Sequence, residues 1–258
     1  MWGRSRVEVV VPAYQESPRV GRVIGTMPPW IDRIWVVDDA STDGTAEAAR
    51  EVGDDRVEIV RHAWNRGVGG AIATGYGRAL AAGGGGRDVL VVMAGDGQMD
   101  PADLPRLVAP VALGEADYAK GTRLRARENA RAMPLGRRLG GLAFSWATSR
   151  AIGVRVTDSQ CGYTAIAREA CARLDLASLW PGYGYPNDLL SQLAVRGLRI
   201  AEVPVRAVYA DEVSRLRPAH LPMIGALVAR AWMRRLMSPK ERSHASAEGS
   251  QGLRNRRG

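Results

Sequence analysis

The chain has 258 residues, 46% of them hydrophobic and 24% charged, which suits one large or two small globular domains. Its formal net charge of +9 calls for a polyanionic partner: an anionic membrane, a phosphorylated substrate or nucleic acid. Nucleic acid comes last, because aromatic residues are few and no zinc-finger or RNA-binding signature is present.

Cys161 and Cys171, with nine residues between them and no C-x-x-C, argue for a reducing compartment and against a disulfide framework. The opening M-W-G-R-S-R runs straight into a strand pattern, so no secretory signal is expected. No apolar stretch approaches the roughly 20 residues that span a bilayer.

Taken in order, strand and helix patterns alternate. Val7 to Val11 is an apolar run ending in P-A-Y-Q-E, and Val20, Val23, Ile24 and Met27 follow at helical spacing. Ile34 to Val37 predicts a second strand, closed by D-D-A-S-T-D-G-T. Thr45 to Val52 predicts a short helix capped by Thr42 or Asp43. A third strand, Val57 to Val60, leads through H-A-W-N-R-G-V-G-G-A into a glycine-diluted helix ending near Ala82. Val89 to Met93 is continuously apolar, as in a central parallel strand covered on both faces. A helix from Pro101 and a strand around Asp117 to Lys120 continue the pattern. Such β-α repeats imply a mostly parallel sheet with helices on both faces.

The Val89 strand stops at M-A-G-D-G-Q-M-D-P. In open α/β sheets ligands bind beyond the carboxyl ends of the strands, so Asp96 and Gln98 face a crevice there. Asp96 and Asp100 equally suit turn and cap chemistry, with Asp100-Pro101 as N-cap and first helical residue. A dinucleotide fingerprint is excluded: in G-V-G-G-A-I, Ile72 occupies the last glycine position, and the motif follows the third strand instead of the first. Walker A and G-x-S-x-G sequences are absent. His62, His220 and His244 are scattered, which argues against a histidine metal site.

Seven ordered blocks remain: V-V-V-P-A-Y-Q-E, V-V-D-D-A-S-T-D-G-T, N-R-G-V-G-G-A, M-A-G-D-G-Q-M-D-P, K-G-T-R, D-S-Q-C-G-Y-T and E-V-P-V. In order and spacing they resemble the inverting glycosyltransferases of family 2, above all the dolichyl- and polyprenyl-phosphate sugar synthases, over roughly residues 5 to 218. The resemblance implies a Rossmann-like α/β nucleotide-sugar fold of the GT-A type. It implies transfer of a sugar from a UDP- or GDP-sugar to a polyprenyl phosphate at the cytoplasmic membrane face.

Site roles follow from the same resemblance. Pro12, Tyr14 and Glu16 would line the pocket for nucleobase and ribose, and Asp39 would contact the base, although Asp39 also suits a turn carboxylate before the next helix. Asp43-Gly44 reads as turn only. Relatives usually carry D-A-D-G-Q where this chain has Ala94-Gly95-Asp96-Gly97-Gln98, so the first carboxylate is missing. Asp96 and Gln98 with a nucleotide diphosphate still suit a divalent ion, Mg2+ or Mn2+, that binds weakly until the donor arrives. A nucleotide-sugar binding protein without catalysis is the alternative that the departure leaves open.

Arg123 and Arg137 match positions that handle donor and acceptor phosphates, and guanidinium forks suit that work. Arg125, Arg127, Arg131 and Arg138 lie nearby in sequence, as on a solvated basic face. Ser214 and Arg215 resemble the segment that closes over the diphosphate. Asp158 and Asp188 are candidates for the general base that a hydroxyl acceptor, the other enzymatic alternative, would need. A phosphate acceptor needs none, being ionised already. Asn187-Asp188 also makes an ordinary helix start.

Residues 220 to 237 are apolar and then basic. They read as an interfacial helix with Arg230, Arg234 and Arg235 at lipid headgroups, or as a helix packed on the domain. The expected organisation is a catalytic domain over 1–218, this helix over 219–237 and a disordered basic tail over 238–258.

Overall fold

The computed structural model describes residues 2–124, 135–206 and 221–237. Seven strands form one sheet: β1 (Val7–Ala13), β2 (Arg33–Asp38), β3 (Val57–Arg61), β4 (Val89–Val92), β5 (Tyr118–Thr122), β6 (Thr164–Ala167) and β7 (Ile200–Pro204). Their spatial order is β3-β2-β1-β4-β6-β5-β7. Every pair is parallel except those of β6, which runs antiparallel to both β4 and β5. Two reversals cancel, so β4 and β5 point the same way. The carboxyl ends of β1, β2, β3, β4 and β5 therefore share one edge of the sheet.

The central strands are buried on both faces, which is why their sequences are continuously apolar. Glu8 is the exception in β1. It accepts from Trp35 Nε1 at 2.7 Å and pairs with Arg168, which also donates to the Ala79 carbonyl at 2.5 Å, so the buried charge is matched. This cluster belongs to strand starts, at the edge opposite the ends of β1 and β4.

Helices α1 (Ser17–Gly25), α2 (Thr45–Glu51), α3 (Gly67–Ala81) and α4 (Leu104–Ala112) fall in the stretches where the sequence predicts helices, with α4 starting at Leu104 instead of Pro101. The cap of α2 differs from expectation: Gly44, at φ 85°, takes the N-cap position. Asp43 instead accepts from the Thr45 amide at 3.1 Å and the Ser17 amide at 3.0 Å, joining two loops. Asp100 caps as expected, accepting from the Ala102 amide at 2.8 Å, but onto a 3₁₀ turn, Pro101–Asp103, that precedes α4.

Three further helices, α5 (Leu135–Ile152), α6 (Arg168–Ala172) and α7 (Tyr185–Val195), precede α8 (Leu221–Met237). The sequence predicts neither α5 nor β6. Glycines 136, 140 and 141 dilute the helical period of α5, and Thr164–Ala167 has only four small or apolar residues.

Helix α8 packs on α5 and α7, burying Leu227 and Ala231. Two of its arginines do not reach outward as the interfacial reading requires. Arg234 donates to Asp188 Oδ1 at 2.6 Å and to Ser191 Oγ at 2.8 Å, and Arg230 pairs with Asp188 at 3.2 Å. The buried carboxylate is the stronger electrostatic partner, because ion pairing there is least screened by water. Among the described residues no helix is long and apolar enough to cross a membrane. The tail, with Ser214 and Arg215, lies outside the described residues, as does the side chain of Arg137.

Candidate functional site

The loops leaving β1 and β2 carry the only two described non-glycine residues at positive φ, Gln15 at 57° and Ala40 at 63°. Such backbone is costly unless the surroundings hold it. Here a mesh of hydrogen bonds does so. The Gln15 amide donates to Ser41 Oγ at 3.0 Å, Gln15 Nε2 to Thr42 Oγ1 at 3.1 Å and the Glu16 amide to Thr45 Oγ1 at 2.9 Å. The loops thus form one rigid rim. On it Tyr14 is exposed, whereas Glu16 is buried and accepts from Arg19 at 2.7 Å. Pro12 lies level with Val37 in the sheet, one residue before the strand end.

Asp38 and Asp39 complete this rim from β2. Asp38 takes the Ser41 amide at 2.9 Å and faces Arg61 at 3.3 Å, so it supports the turn. Asp39 is 2% exposed, and its Oδ1 receives both His62 Nδ1 at 2.6 Å and the Arg66 amide at 2.8 Å. A carboxylate only accepts, so Nδ1 carries the proton. His62 Nε2 meets Thr74 Oγ1 at 2.9 Å. Sequence reasoning passed over His62 as one of three scattered histidines. Its signal was position: it directly follows β3, as Asp39 directly follows β2.

The glycines that open α3 serve packing. A Cβ on Gly67 or Gly69 would collide with the backbone carbonyls of Pro181 or Trp180, and the Gly69 amide donates to Pro181 O at 2.7 Å. This end of α3 is therefore covered by protein, unlike the helix N-termini that cradle phosphates.

The acidic turn extends from β4 alongside β1. The Met93 amide bonds Val10 O at 3.0 Å and the Gly95 amide bonds Pro12 O at 3.1 Å, which delivers Asp96 next to the rim. Gly97 then turns at φ 76°, and Asp96 Oδ1 accepts the Gln98 amide at 3.0 Å. Ala94 supplies no ligand, and its amide points to Met99 Sδ at 3.2 Å. Among the described residues no group of three His, Cys, Asp or Glu side chains converges as a metal site. One carboxylate and one amide side chain are hard-oxygen donors that suit Mg2+ or Mn2+, provided that a diphosphate completes the shell. Tyr185, at the start of α7, is close enough to feel the Asp96 charge. Burial above all pushes its phenol well up, and Asp96 adds to this.

Arg123 follows β5 and so reaches the same edge. Its Nε and Nη2 meet Asp158 Oδ2 and Oδ1 at 2.8 and 3.0 Å, and its amide meets Oδ2 at 3.1 Å. Burial works to raise the Asp158 carboxyl, but the Arg123 hydrogen bonds and charge, with Lys120, outweigh it and hold it down to about 2. Glu202 on β7 fixes the loop beneath, accepting the Thr157 amide at 2.7 Å and Thr157 Oγ1 at 2.9 Å. Ser145 on α5 receives the Ser159 amide at 2.9 Å. Lys120 lies fully buried, donates to Cys161 O at 2.9 Å and has its pKa lowered by that burial.

Of the residues named from sequence, Pro12, Tyr14, Glu16, Asp39, Asp96, Gln98, Arg123 and Asp158 meet along one sheet edge. Asp188 does not join them through its contacts. Its Oδ2 takes the Trp180 amide at 3.0 Å and its Oδ1 takes Arg230 and Arg234, so it anchors α8. Asp158, with both oxygens bound by Arg123 and its carboxyl held down to about 2, is likewise a weak proton acceptor.

Comparison with known proteins agrees with this geometry. Residues 8–174 match the family model described as Glycosyl transferase family 2. An undecaprenyl-phosphate mannosyltransferase of Micrococcus luteus is 32% identical over 79% of this chain and 84% of its own length. A UDP-N-acetylglucosamine–dolichyl-phosphate N-acetylglucosaminyltransferase of Methanococcus voltae is 28% identical over 80% of this chain and 86% of its own. Among solved structures, Mycobacterium tuberculosis glucosyl-3-phosphoglycerate synthase with Mn2+, UDP and glucosyl-3-phosphoglycerate superposes with a TM-score of 0.62. It is 26% identical, covering 90% of this chain and 79% of that one. This chain, with its sequence blocks gathered on one edge of a GT-A-like sheet, belongs to glycosyltransferase family 2.

Proposed function

We propose that this glycosyltransferase moves a sugar from a nucleotide diphosphate sugar to a polyprenyl phosphate at the cytoplasmic face of the membrane. The observation that carries the acceptor is that two relatives, aligned over about four fifths of the chain, are named for undecaprenyl and dolichyl phosphate. In this reading Pro12, Tyr14, Glu16 and Asp39 hold the nucleoside, while Arg123, Arg137, Ser214 and Arg215 handle phosphate oxygens. An oxygen of the lipid phosphate attacks the anomeric carbon. The bond to the diphosphate breaks on the opposite face, and the nucleoside diphosphate leaves with the bonding pair, inverting the centre. Asp96 and Gln98 would hold a divalent cation, which when bound neutralises charge growing on the departing diphosphate. No base is required, in keeping with the contacts of Asp158 and Asp188.

Membrane contact has support in the outer face of α5 and α8. Trp146 is 69% exposed and Trp232 55%, with Met233, Leu236 and Leu142 also exposed. A groove of about 710 Å³ between the helices is lined by both tryptophans together with Arg150 and Arg235. Tryptophan and arginine together suit the lipid headgroup boundary.

A small phosphorylated hydroxyl acceptor is the second reading, favoured by the phosphoglycerate product bound to the structural neighbour. The test is incubation of the full chain with UDP- and GDP-sugars, Mg2+ or Mn2+, and either polyprenyl phosphate in vesicles or phosphoglycerate. Mass spectrometry of the lipid and aqueous fractions reads the outcome. A sugar-phosphate-lipid product is expected. A product in the aqueous arm alone would replace the first reading with the second.

A further inference from the structure

We infer that the Asp39–His62 pair makes the donor pocket selective for a base with a single imide N–H, uracil or thymine, over guanine and cytosine. This rests on reading Asp39 as the nucleobase contact of the proposed function. Asp39 stands one residue beyond β2, on the rim where Gln15 and Ala40 hold left-handed backbone, and a carboxylate there recognises whatever N–H groups a base presents.

The selectivity comes from which of its two oxygens is already engaged. Oδ1 accepts His62 Nδ1 at 2.6 Å and the Arg66 amide at 2.8 Å, which uses both of its lone-pair directions. No hydrogen bond among the described residues uses Oδ2. His62 is itself held by Thr74 Oγ1 at 2.9 Å, and Arg66 precedes the α3 glycines that pack on Pro181, so neither donor swings away easily.

One remaining acceptor matches one donor. Uracil and thymine present N3–H alone on that edge. Guanine presents N1–H and an amino N–H side by side, a pair that a carboxylate binds with two oxygens. With Oδ1 engaged, one guanine donor goes unsatisfied in a buried site, which costs far more than a missing contact in water. Cytosine turns the unprotonated N3 toward Oδ2, so two lone pairs oppose each other.

The pinned oxygen also dictates what a substitution does. In Asp39→Asn the amide oxygen takes the Oδ1 position, because two N–H groups point at it, and the amide NH2 occupies the Oδ2 position. That group donates, so it fits cytosine N3 and opposes uracil N3–H. His62→Ala leaves Oδ1 with a vacant lone pair, which admits the second guanine donor.

The experiment is calorimetric titration of the full chain with UDP, dTDP, CDP and GDP at one fixed Mg2+ or Mn2+ concentration. UDP and dTDP are expected to bind about tenfold or more tightly than GDP and CDP. Asp39→Asn should prefer CDP to UDP, and His62→Ala should narrow the gap between UDP and GDP. A merely structural role for the pair would lower all four affinities together and leave their order unchanged.

GDP bound as tightly as UDP by the wild-type chain overturns the inference. So does a folded Asp39→Asn that still prefers UDP or binds none of the four. If neither variant folds, the wild-type order alone decides. Transfer from a GDP-sugar to polyprenyl phosphate would sink this base assignment and keep the proposed reaction. A clear UDP preference without lipid product would do the reverse.

Discussion

Asp96 is the only carboxylate in the turn that ends β4, and the loss of its charge should be felt in turnover and not in folding. The hydrogen bond that Asp96 accepts from the Gln98 amide can be made equally by an asparagine oxygen. Asp96→Asn is therefore expected to keep the melting temperature and to lower kcat/KM at least about tenfold, a barrier change of roughly 1.4 kcal/mol. Removing the metal with a chelator should reduce the wild-type rate comparably. A variant as active as wild type, or full activity in chelator, would end the metal assignment. Ala94→Asp restores the carboxylate that relatives carry and should tighten Mn2+ binding, measured by titration in the presence of UDP, while leaving metal-free nucleotide affinity unchanged.

Asp188 makes the opposite case at the same scale. Both oxygens are used, by the Trp180 amide and by two arginines of α8, and the side chain is buried. Asp188→Asn leaves those arginines without their counter-charge and should cost about 3 kcal/mol in urea unfolding. The turnover of the folded fraction should stay near wild type. A variant of normal stability and no activity would instead point to a general base, and with it to a hydroxyl acceptor.

At the scale of elements, α5 and α8 act as a pair. One side of α5 is committed to the loop that carries Asp158, through Ser145 and Ser149, whose hydroxyls bond the Ser159 and Val156 amides. Its other side exposes Leu142 and Trp146 beside Trp232 of α8. A helix with its side chains is about 10 Å across, so a lipid resting on that outer face lies within the reach of one helix diameter from the Arg123 loop. Replacing Trp146 and Trp232 together by serine should abolish sedimentation with anionic vesicles while leaving nucleotide binding intact. Raising salt should weaken wild-type sedimentation only in part, because Arg150 and Arg235 would add about 1 kcal/mol each and the apolar face the remainder. Equal sedimentation of the double variant would move the membrane contact elsewhere.

For the whole molecule, the Arg123–Asp158–Glu202 linkage ties β5, the 157–159 loop and β7 together, and its strength should be visible in acid. The folded Asp158 value, about 2, lies below the roughly 3.9 of an unstructured aspartate. Such a group contributes its stabilisation above the unfolded value and loses it as pH falls from about 4 toward 2. Asp158→Asn should thus be less stable than wild type near pH 7, by an amount on the order of 2 kcal/mol. The difference should close in the acid range, as read from denaturation midpoints at a series of pH values. A gap that persists unchanged at pH 2 would mean that packing, and not charge, is what the substitution removes.

Much of this architecture was legible from residues alone. The strands β1, β2 and β4 are short, mainly apolar runs that stop at polar residues where their carboxyl ends leave the sheet, and β3 is marked by Val57, Ile59 and Val60. Position relative to a strand end singled out Asp96 from the residues alone, whereas Asp39 and Arg123 were named through the resemblance to family 2. Local chemistry also named the Asp100 cap, since capping involves only the neighbouring amides. Strand β6 and helix α5 were hidden, because four small residues and a glycine-diluted stretch carry little periodicity. Their existence depends on the neighbours that cover them.

Partner choice was decided by the tertiary structure. Arg234 reaches Asp188 across 46 residues of chain and Arg123 reaches Asp158 across 35. His62, unremarkable in sequence, meets Asp39 across 23. With 36 basic and 27 acidic side chains, the sequence permits far more pairings than one fold can use. Periodicity and turn chemistry act over a few residues, and so are written in the chain itself. Ion pairs and side-chain hydrogen bonds depend on separation in space and on exclusion of water, which exist only once the sheet and its helices have closed around them.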